Sequence, residues 1–197
     1  MGTGISITAL VLAAGMSRRM GSVNKLLLKI DGETMLERSI RPILEAGLDR
    51  VVVVTGYESE KIESCLSGYK VEFVHNDQFE EGMGTSLARG VASMGNSKQD
   101  GIMVSLGDLP CLRKESVSSV VDVFNSKSGE EIIVPMFGGK PGHPIVFPFR
   151  YKNELKSLRG DEGAKKIIGR EKRSVVRLEL GDKGITLDID GPDFFET

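Results

Sequence analysis

Short runs of consecutive apolar residues recur along this chain, and longer segments of mixed polarity separate them. The runs cover Ile7–Leu12, Val51–Val54, Ile102–Leu106 and Ile132–Val134. Because these runs are continuous rather than alternating, both faces of each predicted strand are expected to be buried. Burial on both faces is usual for parallel strands, so the pattern predicts a mainly parallel sheet.

The segments between the runs carry helix signals. Thr34 and Glu37 have the spacing of a capping box, and Gly47 is a stop signal at the far end of the same apolar stripe. Pro42 lies inside this pattern and is expected to kink the helix or to shift its start. Further helices are predicted over Glu58–Leu66, after Gly84 and over Glu115–Phe124.

This alternation of strands and helices predicts a three-layer α/β/α fold of the Rossmann-like type. Ligands in such folds bind outside the carboxyl ends of the strands. After residue 140 the pattern is less regular and predicts a short helix over Asp161–Ile168 and strands over His143–Phe147, Ser174–Leu180 and Ile185–Ile189. No change of composition marks a linker, so residues 1–197 are expected to form a single domain.

Composition and net charge narrow the classes of partner and the location that are expected for this chain. The net charge of −2 provides no overall attraction to nucleic acid or to an anionic membrane, so neither is an expected partner. No apolar run approaches the roughly 20 residues that a membrane helix needs, and the first residues lack the features of a signal peptide. A cytoplasmic location is therefore the default expectation. Cys65 and Cys111 form no C-x-x-C pair and are expected to be unpaired.

The first candidate site is the loop that follows the first predicted strand. Gly15 lets the backbone approach an anion, while Arg18, Arg19 and Lys25 supply positive charge. The segment is neither a Walker A loop nor a dinucleotide fingerprint. These residues suit the phosphates of a nucleotide, and a glycine turn with incidental surface arginines is the alternative.

Carboxylates follow two other predicted strands. Asp108 comes directly after a buried run, where a hard oxygen ligand can bind Mg²⁺ together with substrate phosphates. A turn aspartate before Pro110 is the competing interpretation. Asp188 and Asp190 would face the same side of a strand, and one of them can complete the metal site, although the local sequence by itself favours a solvated strand edge.

Two further segments offer polar groups. Gly82–Ser86 leads into a predicted helix, whose N-terminus offers free N–H groups, and Asn76 lies shortly before it. The alternative there is a loop with an ordinary helix cap. His143 lies in a glycine-rich stretch and is a better functional candidate than His75, although the sequence favours a packed or hydrogen-bonded histidine at both positions. No histidine and cysteine spacing indicates zinc.

Taken together, these segments resemble the molybdopterin nucleotidyltransferases, a group within the superfamily of nucleotide-diphospho-sugar transferases. The opening segment Leu12–Lys25 is similar to the nucleotide loop of that group. Ala14 replaces a second glycine, as in molybdenum cofactor cytidylyltransferases, whereas guanylyl-transferring relatives typically carry Leu-Ala-Gly-Gly. The remaining matches follow in the expected order: Asn76, Glu81–Leu87, Gly107–Pro110, Gly142–Pro144, Gly160–Ala164 and Asp188–Asp190.

The resemblance implies the fold of that superfamily, a nucleotide-binding half near residues 5–110 and an acceptor-binding half near residues 111–197. It implies that Arg19, Lys25 and Asp108 carry the transfer, and that Asp108 binds Mg²⁺ with Asp190 as a second ligand. The implied nucleotide-binding residues are Leu12, Ala13, Ala14, Gly15, Arg19, Lys25, Asn76, Gly82 and Ser86. The implied acceptor-binding residues are Gly142, His143, Pro144, Asp161 and Gly163.

The activity that the resemblance implies is transfer of CMP from CTP to a molybdopterin-type acceptor, with pyrophosphate released and a molybdenum hydroxylase as the recipient of the product. Two enzymatic alternatives remain, a guanylyltransferase and a sugar-phosphate nucleotidyltransferase of the same fold. A third alternative is a non-catalytic accessory protein that binds the molybdenum cofactor.

Overall fold

The computed structural model describes residues 5–17, 23–95, 99–161 and 163–188. Within these ranges the strands are β1 (Ile7–Ala13), β2 (Lys29–Ile30), β3 (Glu33–Thr34), β4 (Arg50–Thr55), β5 (Glu72–His75), β6 (Gly101–Leu106), β7 (Ile132–Phe137), β8 (Lys140–Pro141), β9 (Ile145–Pro148) and β10 (Val175–Glu179). The α-helices are α1 (Met35–Glu45), α2 (Ser59–Cys65), α3 (Met83–Ser93), α4 (Lys114–Ser126), α5 (Lys152–Lys156) and α6 (Lys165–Arg170).

The main sheet has the strand order β10-β7-β9-β6-β1-β4-β5, with β8 paired to β7 at one side. β1 pairs in parallel with β4 on one side and with β6 on the other. The order therefore reverses at β1, which creates the crevice where open α/β sheets bind ligands. β9 is antiparallel to both of its neighbours. The predicted fold class, with a mainly parallel sheet, is confirmed.

Helices cover both faces of this sheet. Ala9, Val11 and Ala13 of β1 belong to one apolar core, which also contains buried residues of α1, α2 and α4. Leu10 and Leu12 belong to a second core, which contains residues of α3, α5 and α6. Successive side chains of a strand point to opposite faces, so the sheet that contains β1 is the middle of three layers. No helix in the described ranges is long and apolar enough to cross a membrane.

The start of α1 is confirmed by its cap. The Thr34 hydroxyl accepts from the Glu37 N–H at 3.2 Å, and the Glu37 carboxylate accepts from the Thr34 N–H at 2.8 Å. The helix continues through Pro42, which is buried, and its start stays at Met35. The Gly47 N–H then donates to the Leu44 carbonyl at 3.1 Å, with Gly47 in the left-handed region.

Three predictions for the part of the chain after residue 140 need correction. The strand predicted over Ile185–Ile189 is absent from its described part, where a 3-10 turn covers Lys183–Ile185. Asp182 explains the turn, because its carboxylate accepts from the Gly184 N–H at 2.8 Å. The helix predicted over Asp161–Ile168 begins only at Lys165.

The strand predicted over His143–Phe147 begins at Ile145. Pro144 has no N–H for a strand ladder, and the His143 N–H donates to Ile185 instead, at 2.8 Å. The division of the domain into halves near residue 110 stays a prediction.

Candidate active site

The carboxyl ends of β1 and β6 lie side by side at the crevice. Leu12 and Leu106 are partners in the parallel ladder, and the Gly107 N–H donates to the Leu12 carbonyl at 3.0 Å. This bond extends the ladder by one residue and places Asp108 beside the loop that follows β1. Two segments far apart in sequence therefore meet at one edge of the sheet, as the fold class predicts.

Lys25 reaches this edge from a short 3-10 turn. Asn24 is buried and caps the turn by accepting from the Leu26 N–H at 3.2 Å. The Lys25 N–H donates to the Ser17 hydroxyl at 3.1 Å, which ties the turn back to the first loop. The Lys25 ammonium then lies 2.7 Å from the Asp108 carboxylate, with side-chain exposures of 14% and 19%.

One oxygen of Asp108 is available to a cation. Lys25 pairs with Oδ2, whereas Oδ1 is buried and has no hydrogen-bond partner among the described residues. A buried carboxylate oxygen without a partner is costly, so the position fits a divalent cation bound there. No group of three histidine, cysteine or carboxylate side chains able to hold a metal occurs in the described ranges.

A cavity of about 360 Å³ opens beside this pair. Leu12, Ala14 and Gly15 from the first loop line it, together with Lys25 and Asp108. The other lining residues are Met16, Ser17, Leu26, Phe79, Glu80, Gly82, Met83, Ser86, Leu106 and Asp161. Ala13 is buried at the end of β1 and does not line the cavity.

Asn76 lies beneath the N-terminus of α3. Its buried amide donates to the Thr85 and Ser86 hydroxyls, both at 3.0 Å, and its oxygen accepts from the Gln78 N–H at 3.2 Å. These bonds fix the first turn of α3, and Ser86 in that turn lines the cavity. Asn76 itself does not line it, so its predicted contact with a nucleotide stays a prediction.

The segment around Asp161 packs against the same end of α3. Gly82 has φ +111°, and a Cβ there would lie 2.5 Å from the Asp161 carboxylate. The Gly84 N–H donates to the Gly160 carbonyl at 2.7 Å. These close approaches explain the glycines at 82 and 84 and bring a residue of the predicted acceptor half to the cavity wall. Gly163 follows with φ +51°.

His143 lies at the same edge of the sheet, beside β6. Its Nδ1 donates to the Val104 carbonyl at 3.2 Å, and a Cβ at neighbouring Gly142 would lie 2.5 Å from the Ile185 oxygen. Burial lowers the pKa of His143. The charges of Asp108 and Asp188 raise this pKa, whereas the charge of Lys165 lowers it further. Gly142, His143 and Pro144 do not line the 360 Å³ cavity.

Arg19 and Asp190 lie outside the described residues. Asp188 follows the turn Lys183–Ile185, and its charge raises the pKa of His143. Seven cavity residues were not among the predicted site residues, namely Met16, Ser17, Leu26, Phe79, Glu80, Met83 and Leu106. Each lies within or next to a segment singled out in the sequence, so position relative to the glycines was the available signal.

A reversal of strand order, a cavity at that point and a lysine–carboxylate pair inside it define an α/β enzyme of the nucleotide-binding class. The chain belongs to the family described as the MobA-like NTP transferase domain, which matches residues 9–175. It is therefore a nucleotidyltransferase, and enzymes of this kind usually use a divalent metal ion.

Individual relatives cover nearly the whole chain. Purine catabolism protein PucB of Bacillus subtilis is 34% identical over 194 residues, which are 94% of this chain and 92% of the relative. Molybdenum cofactor cytidylyltransferase of Escherichia coli is 27% identical over 196 residues, with 98% and 95% covered.

Solved structures agree with the fold. Rv0371c of Mycobacterium tuberculosis superimposes with a TM-score of 0.85 at 28% identity, covering 98% of this chain and 97% of that chain. A manganese complex of the same protein gives a TM-score of 0.80 at 27% identity, with 96% of each chain covered.

Proposed function

We propose that this chain transfers CMP from CTP to the phosphate of a molybdopterin-type cofactor and releases pyrophosphate in an Mg²⁺-dependent reaction. The observation that carries the proposal is the Lys25–Asp108 pair, 2.7 Å apart in a cavity of about 360 Å³ at the switch point of the sheet. A protein that only carried the cofactor would not need a buried carboxylate with an unpartnered oxygen at this place.

The transfer needs little covalent help from the protein. An oxygen of the acceptor phosphate attacks the α-phosphorus of CTP, and the bond from that phosphorus to the bridging oxygen of the β-phosphate breaks. Pyrophosphate leaves with the bonding electrons. The attacking phosphate is already an anion, so no general base is required. Positioning and stabilisation of negative charge provide the acceleration.

The proposed roles follow from charge. Lys25 and Arg19 neutralise the triphosphate, and the loop Leu12–Gly15 with Gly82 and Ser86 surrounds the nucleotide. Asp108, with Asp190 as the second ligand, would hold Mg²⁺, which neutralises phosphate oxygens when bound. The segments Gly142–Pro144 and Asp161–Gly163 bind the acceptor.

Cytidine is the nucleotide that the first loop favours. Ala14 stands where guanylyl-transferring relatives typically have glycine, and the Escherichia coli relative is named as a cytidylyltransferase. The Ala14 side chain is buried and lies close to Gly56 and Phe79, at the cavity wall. A methyl group at this wall narrows the space for a base. The same relative supports the molybdenum cofactor as acceptor, and a molybdenum hydroxylase is the proposed recipient.

Isothermal titration of the purified chain tests the proposal. We expect CTP to bind with and without Mg²⁺, more tightly with it, and to bind more tightly than GTP, UTP or ATP. Equal affinity with and without Mg²⁺ and no pyrophosphate release on addition of the cofactor would identify a carrier instead. Preference for GTP, or for UTP with a sugar phosphate, would identify the other enzymes of this fold.

A further inference from the structure

Gly56, the residue after β4, is a glycine for reasons of space. It does not have a positive φ, so its backbone conformation does not require glycine. A Cβ at this position would lie 2.6 Å from the Phe79 Cβ and 2.9 Å from the Ala14 Cβ. Real Cβ atoms do not approach so closely, so Gly56 is what allows Phe79 and Ala14 to occupy their positions.

Phe79 and Ala14 are also part of the cavity wall. Phe79 is half-buried, and Met83 beside it is 47% exposed, which makes it one of the few large apolar side chains so exposed in the described ranges. Both line the cavity together with Ala14. This part of the wall is apolar, whereas Lys25 and Asp108 supply charge to the same cavity.

A nucleoside triphosphate has the same division, with a planar base at one end and phosphates at the other. We propose that the Phe79 ring, seated on Gly56, is the surface on which the nucleobase packs, and that Gly56 thereby sets nucleotide affinity and base preference. This inference rests on the proposed function and specifies the base-binding part of its site. Packing on an aromatic side chain contributes substantially to the binding of any base. The base preference comes from the Ala14 methyl group, which Gly56 also allows into its position.

The pterin of the acceptor is also planar and is the rival occupant of this wall. The contacts favour the base. Phe79 adjoins Ala14, whose loop continues through Ser17, and Ser17 holds Lys25 by a hydrogen bond of 3.1 Å. Of the two proposed acceptor segments, Gly142–Pro144 does not line this cavity, and the other contributes Asp161 to its wall. Phe79 thus belongs to the same continuous structure as the proposed triphosphate contacts.

Two variants of the full chain test the inference. Phe79→Leu keeps an apolar side chain but removes the flat ring, and Gly56→Ala keeps the ring but displaces it. For Phe79→Leu we expect the KM for CTP to rise about tenfold. For Gly56→Ala we expect a rise of the same order and a weaker preference for CTP over GTP. The KM for the acceptor should stay within about twofold in both variants.

Gly101→Ala is the matched control for Gly56→Ala. Its Cβ would lie 2.6 Å from the Phe124 ring, at the opposite end of the sheet from the cavity. It imposes a similar steric conflict, so it should lower Tm without changing either KM. If it changes the KM for CTP as much as Gly56→Ala does, general loosening explains the effect and the inference is wrong.

The KM values of Phe79→Leu test the inference even if Gly56→Ala does not fold. A raised KM for the acceptor with an unchanged KM for CTP would assign the wall to the pterin and overturn the inference. An unchanged KM for both substrates would also overturn it, while turnover of CTP by the wild type would leave the proposed function intact. Absence of turnover with any nucleotide in the wild type would instead overturn the proposed function.

Discussion

The Lys25–Asp108 pair and the neighbouring His143 region are held in place by different kinds of contact. The pair consists of opposite charges, Lys25 on a 3-10 turn and Asp108 just after β6, and they meet at 2.7 Å. The His143 region, here Gly142, His143, Gly184 and Ile185, is held mainly by backbone groups in close approach. The first arrangement depends on side-chain chemistry and the second on the space that glycines leave, so they should fail in different ways.

The backbone contacts of the His143 region connect three segments of the chain. The Ile185 carbonyl accepts from the His143 N–H at 2.8 Å, and Gly184 packs on the carbonyl of Cys111, in the loop after Asp108. Asp182 fixes this turn by accepting from the Ser116 hydroxyl at 2.6 Å. A loss of one contact here should therefore reduce stability before it affects chemistry.

The largest expected effect is that of Asp108→Asn on turnover. The substitution keeps the size of the side chain but removes the charge that would hold the metal. We expect kcat to fall by about 10²–10³, the usual cost of losing one preorganised electrostatic contact in an active site. Asp122→Asn, an exposed carboxylate on α4, is the control and should leave kcat unchanged. If Asp108→Asn has the same Tm as the wild type, the substitution affects the chemistry and not the stability of the fold.

Lys25→Gln should have the next largest effect. Loss of a charge-assisted contact to the triphosphate should weaken binding of CTP about tenfold to a hundredfold, as measured by titration calorimetry. Lys29→Gln removes an exposed lysine of β2 that does not line the cavity and should change nothing. If both variants bind CTP as the wild type does, Lys25 does not contact the nucleotide.

Gly184→Ala tests the close backbone packing of the His143 region. A Cβ there would overlap the Cys111 carbonyl oxygen, so the turn or the loop after Asp108 must move. We expect a loss of about 1–3 kcal/mol in the free energy of unfolding, measured in urea. Gly181→Ala, in the same segment with nothing within 4 Å of its Cβ, should be tolerated. Equal stability of the two variants would contradict the close packing.

The smallest expected effect is the pH dependence due to His143. Because burial lowers its folded-state pKa below the ordinary value of 6.5, the unfolded chain binds the proton more tightly. The stability from neutral His143 is therefore complete above pH 6.5 and is lost as the pH falls below it, by at most about 1.4 kcal/mol per pH unit.

The difference in unfolding free energy between the wild type and His143→Gln isolates this contribution from that of the carboxylates. The difference should be constant above pH 7. Below pH 6.5 the unfolding free energy of the wild type should fall relative to that of the variant. A constant difference down to pH 5 would show that His143 is not held neutral.

Side chains at strand ends were predictable from sequence, and backbone approaches were not. The apolar runs Ile7–Leu12 and Ile102–Leu106 mark strands, and parallel strands bring their carboxyl ends to one edge, so the loop after the first strand was expected beside Asp108. The contact of Lys25 with Asp108 was not itself predicted. Ile185 was misread as part of a strand because its apolar side chain enters the core from a turn. That turn depends on Asp182 and Ser116, which are 66 residues apart and show no local pattern.

The contact of Phe79 with Gly56 was not predictable from the sequence for a similar reason. Gly56 reads as an ordinary loop glycine, and only the fold brings it against Phe79 and Ala14. The antiparallel direction of β9 was likewise not readable, since a short apolar strand looks the same in either direction.

The most direct test of the central claim is pyrophosphate release by the wild-type chain, measured with each of the four NTPs, with the molybdenum cofactor present and with or without Mg²⁺. We expect release with CTP in the presence of Mg²⁺, one pyrophosphate for each CMP attached to the cofactor, and little release without the metal. Equal release without Mg²⁺, or faster release with GTP than with CTP, would contradict it.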